Sequence, residues 1–114
     1  MAQPHPFRVL GMALELVDSV APLMDPIGKH DRPLKDQLRR AAQSVALNLA
    51  ESTGHQSGNR RLRLESALGS TYETRACLHI AARWGYVDVD RAHHAIGLTD
   101  SIAAITYRLL NPSR

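Results

Sequence analysis

The stretch from Leu34 to Gly54, LKDQLRRAAQSVALNLAESTG, predicts one long amphipathic helix that limits what the rest of the chain can form. Its apolar residues recur every three or four positions, which places them on one side of a helix; they are Leu34, Leu38, Ala41, Val45 and Leu49. Asp31 can accept hydrogen bonds from the first turn, and Pro33 is tolerated there because its missing N–H would have no helical acceptor. Gly54 predicts the end of the helix.

Apolar periodicity in the remaining sequence predicts three more helices. The four predicted helices span roughly residues 7–24, 33–53, 59–84 and 89–110, and residues 25–31 are predicted as a loop. One Phe, one Trp and three Tyr among 114 residues, with abundant Ala and Leu, favour close-packed helices over a sheet sandwich. We therefore predict an all-α fold, a single antiparallel up-down-up-down four-helix bundle covering residues 1–114.

Individual residues predict where these helices begin and end and where two of them lie close together. Gly85 predicts the end of the third helix, and Asp88 or Asp90 the cap of the fourth. Gly69 falls inside the third helix, where glycine costs about 1 kcal/mol relative to alanine. We interpret Gly69 as a site of close approach by another helix.

Several short segments resemble a known protein family. They are Gln37–Ala42, Ser44, Asn48–Glu51, Ala67–Ser70 with Glu73, and Gly85-Tyr86, and they span about the central half of the chain. This combination resembles the small four-helix-bundle proteins encoded in intervening sequences of bacterial 23S ribosomal RNA genes, to which the accessory variability protein of diversity-generating retroelements is related. The family usually has Gly directly after the Glu, whereas this chain has Ser52-Thr53 before Gly54. The resemblance implies a homopentamer around a central channel.

The second and third helices are expected to form a hairpin pinned by polar contacts. If they are antiparallel about a turn near residue 56, facing residues have numbers that sum to roughly 112. The predicted pairs are Arg40 with Glu73, Ser44 with Gly69, Asn48 with Glu65, and Glu51 with Arg61. Each ionic pair joins opposite charges, so the contacts would fix the register of the hairpin.

No arrangement of residues predicts catalysis. Glu51 and Glu73 would lie about 16 Å apart along the hairpin, too far for joint acid–base work. Cys77 shares a helix side with Glu73, and a nearby carboxylate raises a thiol pKa. The six histidines do not form the paired Glu-x-x-His motifs of a di-iron bundle. We predict a non-enzymatic protein without cofactor or metal, and an enzyme with an unrecognised site is the least favoured alternative.

Basic residues are concentrated between positions 29 and 63, which hold eight basic and three acidic residues. The candidate phosphate-binding residues are Lys29, Arg32, Lys35, Arg60, Arg61 and Arg63. They should form two patches at opposite ends of the bundle and give salt-sensitive, sequence-independent binding of RNA or DNA. The scarcity of aromatic residues argues against recognition of unstacked bases.

Apolar residues beyond one stripe predict self-association, because a helix that is apolar on two sides is buried on both. These extra residues are Ala46, Leu47 and Ala50 on the second helix, and Leu98, Ala103, Ala104 and Tyr107 on the fourth. The leading hypothesis is an oligomeric scaffold that contacts nucleic acid, together with a nucleic-acid-processing protein as the resemblance implies. The alternative is a protein–protein adaptor that binds no nucleic acid.

The single Cys77 excludes an internal disulfide and agrees with a reducing compartment. No apolar run approaches the length of a bilayer span, and MAQPHPFRVLG does not have the pattern of a secretory signal. We expect a cytoplasmic location and no membrane partner.

Overall fold

The computed structural model describes residues 6–54 and 57–112, and these contain helices and turns but no strand. The elements are α1 (Pro6–Val20), a 3₁₀ turn (Ala21–Leu23), α2 (Met24–His30), α3 (Arg32–Thr53), α4 (Ser57–Arg83) and α5 (Val89–Leu110). The predicted all-α class is confirmed.

Four long helices occupy the corners of a bundle. Helix α1 packs against α3 and α5, and α4 also packs against α3 and α5, whereas the diagonal pairs make few contacts. The described chain measures 45 × 26 × 18 Å, and its long dimension fits the 27 residues of α4, which extend about 40 Å at 1.5 Å per residue. Short connections between neighbours give the predicted four-helix bundle.

The first corner of the bundle is longer than predicted. Residues 25–31 were expected to form a loop, but the helical path continues through the 3₁₀ turn into α2 and only Asp31 separates α2 from α3. Pro22 lies at the start of the 3₁₀ turn, and Pro26 lies in the first turn of α2. The N–H of a residue in the first turn has no helical acceptor, so proline there loses no hydrogen bond. Pro22 and Pro26 are therefore compatible with the start of a new helical segment.

Asp31 caps α3, as predicted. Its Oδ1 accepts a hydrogen bond from the Leu34 N–H at 3.0 Å. This bond satisfies one of the free donors of the first turn and places negative charge at the positive end of the helix. A single residue therefore ends α2 and starts α3.

The connection from α4 to α5 depends on Gly85. Among the glycines of the described residues, Gly85 alone has a positive φ, of +75°. This left-handed conformation costs a residue with a side chain roughly 1–2 kcal/mol. The Tyr86 N–H donates to Ala81 O at 2.9 Å and the Gly85 N–H to Ala82 O at 3.2 Å. These two bonds form a Schellman motif, which satisfies carbonyls at the end of α4.

The helix α5 begins directly after this turn. Asp88 caps it, with Oδ1 accepting from the N–H groups of Asp90 at 2.7 Å and Arg91 at 3.4 Å. Of the two predicted caps, Asp88 is the correct one.

The core is aliphatic, and its largest fully buried side chains include Leu16, Leu38, Leu49, Leu64, Leu78 and Ile102. Buried threonines complete it. The hydroxyls of Thr71, Thr74 and Thr99 donate to carbonyls of Ala67, Ser70 and Ile96 at 2.6–2.8 Å. Each of these hydroxyls is satisfied within its own helix, so the core needs no polar contact between helices at these positions.

We predict opposite effects for two Gly-to-Ala substitutions. Gly85→Ala should lower the free energy of unfolding by about 1–2 kcal/mol, because alanine resists the left-handed conformation. Gly97→Ala, inside α5 where a Cβ meets nothing within 4 Å, should raise it by up to about 1 kcal/mol. Urea denaturation followed by circular dichroism, at one protein concentration, measures both. Changes of the same sign would contradict this account of the turn.

Candidate interaction surfaces

A polar seam runs along the interface between α3 and α4. The Asn48 Nδ2 donates to the Ser44 carbonyl at 2.9 Å and to Ser44 Oγ at 3.0 Å. The Ser70 Oγ donates to Ser44 Oγ at 2.8 Å, and Arg63 Nη1 donates to Asn48 Oδ1 at 3.3 Å. Farther along the hairpin, Gln37 Nε2 donates to Glu73 Oε2 at 3.2 Å. Three bonds therefore cross between the two helices.

The seam has the antiparallel direction that the sequence predicts, but different partners. Glu73 accepts from Gln37 instead of pairing with Arg40, and Asn48 meets Arg63 instead of Glu65. Ser44 bonds to Ser70, one position beyond Gly69. The partners differ because the numbers of the bonded residues sum to 110 (37 and 73), 111 (48 and 63) and 114 (44 and 70) instead of 112, and each one-residue step turns a helical side chain by about 100°.

Two further predicted members of the network, Glu65 and Glu51, are exposed. Glu65 lies 3.5 Å from Arg61 Nε within α4, and both side chains are more than half exposed. Glu51 is exposed on α3 near the end that carries Arg61. An exposed pair four residues apart contributes little stability, so Glu65 does not fix the hairpin.

The first turns of α4 hold three arginines at one end of the bundle. Arg63 reaches α3 through its bond to Asn48, and Arg61 Nη1 donates to the Leu110 carbonyl of α5 at 3.0 Å. Arg60 is half-buried and lines an open cleft of about 260 Å³ with Arg61, Leu64, Leu109, Leu110 and Pro112. The arginines extend across the bundle from α3 to α5, and we call this surface the arginine end.

Lys29, Arg32 and Lys35 lie at the opposite end, where α2 meets α3. Lys29 and Arg32 are exposed and Lys35 is half-buried. The Lys35 stem crosses Gly28 so closely that a Cβ there would lie 2.7 Å from Lys35 Cδ. The six candidate residues thus form two separate groups.

Sequence reasoning missed a cluster of rings at this second end. The His30 ring stacks on Tyr86 with centroids 5.0 Å apart and planes within 3°. The Trp84 ring meets Tyr86 edge-on at 5.9 Å and 79°, and Trp84 is 65% exposed. We call these three residues the aromatic end. In the sequence, the Gly85-Tyr86 pair indicated the turn after the third helix, but no pattern indicated that His30 would contact it.

The residues predicted to support self-association divide into two groups. Ala46 and Ala103 are buried within the chain and belong to its own core. Leu47 and Tyr107 are 66% and 57% exposed, Ala50 and Ala104 are exposed, and Leu98 is half-buried. Leu62 on α4 is also exposed, at 54%.

Gly69 lies on the outer side of α4. A Cβ built there meets nothing within 4 Å, so the interpretation that Gly69 allows close approach by another helix of this chain is wrong. The small side chains of Ser66 and Ala76 are exposed on the same side of α4, so small residues lie on both sides of Gly69 along this open surface.

Residues 6–108 match the family model of the 23S rRNA-intervening sequence protein. The chain belongs to this family. The resemblance inferred from the sequence motifs is confirmed to this extent, and the relationship to the retroelement protein stays a prediction.

A solved structure has a similar fold. It is a crystal structure of a protein with unknown function from the S23 ribosomal protein family of Bacteroides thetaiotaomicron, with a TM-score of 0.82 and 19% sequence identity. The alignment covers 90% of this chain and 98% of that chain. At this identity the likeness shows the fold alone. No curated protein matches the sequence.

Reactive residues of this family member are dispersed in the described residues. His30, His79, His93 and His94 are exposed, while His5 and His55 lie outside the described residues. No three His, Cys, Asp or Glu side chains within 6–54 and 57–112 come together as metal ligands. Over the same residues, no helix is both long and apolar enough to cross a bilayer.

Cys77 is buried against the core. Burial, with a smaller contribution from the charge of Glu73, raises the pKa of the thiol to about 11. Since the thiolate is the nucleophilic form, Cys77 is a packing residue at neutral pH.

We predict that Asn48→Ala lowers the free energy of unfolding by about 1–2 kcal/mol, because it leaves Arg63 and Ser44 without their shared partner. Gln43→Ala, an exposed position on the same helix, is the control and should change it by less than about 0.5 kcal/mol. Thermal and urea denaturation measure both variants. Equal stability of the two would show that the seam does not hold the hairpin.

Proposed function

We propose that this protein is a non-enzymatic oligomeric scaffold that binds RNA or DNA through phosphate contacts. The observation that carries the proposal is the arginine end, where Arg60, Arg61 and Arg63 extend from α3 to α5. Guanidinium groups suit phosphate because they offer several N–H donors in a fixed plane.

The internal bonds of these arginines leave them able to bind. Arg61 and Arg63 each donate one Nη1 hydrogen bond within the chain, and a guanidinium has five N–H groups. Arg60 makes no hydrogen bond or ion pair with the described residues. The internal bonds hold two of the groups in place, which lowers the entropy lost when a phosphate binds.

Self-association is the second part of the proposal. Glycine inside α4 costs about 1 kcal/mol relative to alanine, and Gly69 has no neighbour in its own chain that requires it. A helix of a second copy could approach α4 closely there, because interaxial distance depends on side-chain size. A homopentamer is the assembly that the family resemblance implies.

The alternative is an adaptor that binds only proteins. The exposed side chains of Leu47 on α3 and Leu62 on α4 favour it, since burying such apolar side chains against a protein partner is favourable. A nucleic-acid-processing partner and a cytoplasmic location belong to the leading proposal, the latter because Cys77 is a free buried thiol.

We predict that changing Arg60, Arg61 and Arg63 together to Ala weakens binding of labelled duplex DNA, single-stranded DNA and structured RNA. Removing three phosphate contacts should also reduce the magnitude of the slope of log affinity against log salt concentration by about 2–3. Fluorescence anisotropy across a salt series measures both effects, and sedimentation checks that the assembly is intact.

The matched control changes Arg8, Arg39 and Arg40 to Ala. These arginines are exposed on α1 and α3, so the control removes the same charge from another surface. Equal weakening by both triple variants would indicate diffuse attraction, and no binding by the wild-type oligomer at low salt would favour the adaptor.

We also predict that Gly69→Gln reduces self-association without lowering the stability of the single chain. The added side chain enters open space in the monomer, and glutamine is the better helix former. Gly97→Gln, at a comparably open site on α5, is the control. Sedimentation velocity gives the mass of each variant, and assembly of Gly69→Gln like the wild type would exclude close packing at α4.

A further inference from the structure

We infer that the aromatic end binds an unpaired nucleobase of single-stranded RNA or DNA by stacking on Trp84. The inference rests on the proposed function and adds to it a kind of nucleic acid and a second contact surface. Its basis is that the fold brings His30, on α2, against Trp84 and Tyr86 at the far end of α4, so that three rings lie together at one end of the bundle.

The indole is exposed yet held in place. Trp84 is the single tryptophan of the chain, and 65% of its surface is open to solvent. The Tyr86 ring supports it edge-on and is itself covered by His30. A ring that is both supported and exposed can accept a base with little loss of side-chain entropy.

The backbone under the ring is also fixed. The Trp84 N–H donates to Ile80 O at 3.0 Å, and Tyr86 is tied to Ala81 O at 2.9 Å. Gly85 supplies the left-handed turn between the two aromatic residues. The ring pair therefore belongs to the Schellman motif that ends α4.

The charges around the aromatic end, in residues 25–36 and 83–91, indicate how it would bind. The basic residues of these two segments are Lys29, Arg32, Lys35, Arg83 and Arg91, and the acidic residues are Asp25, Asp31, Asp36, Asp88 and Asp90. These five positive and five negative charges cancel, so the net attraction of this end for phosphate is weak even though Lys29, Arg32 and Lys35 lie there. Affinity here should come mainly from stacking and depend weakly on salt.

Single-stranded nucleic acid fits this surface better than a duplex does. Bases in a duplex are stacked on each other and cannot cover the indole, whereas every unpaired base has a free face. The arginine end would contact phosphates of either form. We therefore expect the stacking contribution of Trp84 and the phosphate contribution of the arginine end to be separable by experiment.

The first experiment follows the fluorescence of Trp84 in the intact protein. Titrants are a short oligothymidylate, an oligouridylate, a duplex of equal length, and an abasic strand with the same sugar–phosphate backbone. Both single strands should quench the emission at low and high salt, and the duplex and abasic strands should not. Equal quenching by the abasic strand would overturn the inference.

The second experiment measures anisotropy of labelled oligothymidylate with three variants. Trp84→Ala should weaken binding about 5- to 150-fold, the range for loss of one base–aromatic stack, and Trp84→Phe should recover most of it. Tyr107→Ala is the control, because Tyr107 is a comparably exposed ring (57%) on α5. Duplex affinity should be unchanged by all three.

The outcomes separate this inference from the proposed function. If Trp84→Ala leaves single-strand affinity unchanged while the triple arginine variant weakens it, the stacking surface is wrong and the phosphate contacts stand. If the wild type binds no nucleic acid, both are wrong. Loss with Trp84→Ala, recovery with Trp84→Phe and no effect of Tyr107→Ala together support stacking.

Discussion

The structure depends on one constraint, the register between α3 and α4. Small and apolar side chains dominate their contact, and non-directional apolar contacts specify a register less sharply than hydrogen bonds do. The seam from Ser70 through Ser44 and Asn48 to Arg63 fixes that register, because half-buried polar groups lose their partners if either helix shifts. Everything at the two ends follows from this register, since it sets which residues of α2, α4 and α5 meet there.

The sequence was sufficient for features that depend on local chemistry. The apolar stripe and the Asp31 cap predicted α3, and Gly85 predicted the end of α4, because each signal lies within a few residues of the structure it causes. The prediction was wrong for α2. A proline interrupts a helix when it lies in the interior but is tolerated in the first turn, and the sequence does not show which of these applies to Pro22 and Pro26. Distinguishing the two requires knowing that Leu23 and Ile27 are buried against the bundle.

The candidate surfaces were harder to predict than the fold. The arginine end follows from three residues on one helix, so its position was readable from the sequence. The aromatic end was not, because His30 meets Tyr86 only when α2 docks beside the turn after α4. Composition suggested too few rings for base recognition, yet the position of a few rings decides whether they can stack. The network partners were missed for a related reason, since they depend on helix rotation at single-residue precision.

The buried threonines have a consequence for how this fold can diverge. The hydroxyls of Thr71, Thr74 and Thr99 donate to carbonyls of the same helix, and those carbonyls keep their helical N–H donors whatever side chain follows. Exchange of such a threonine for the similarly shaped valine would therefore leave no orphaned partner across the interface. Positions of this kind can change their side chain while the backbone stays in place. Such positions are one physical route by which a TM-score of 0.82 can coexist with 19% identity.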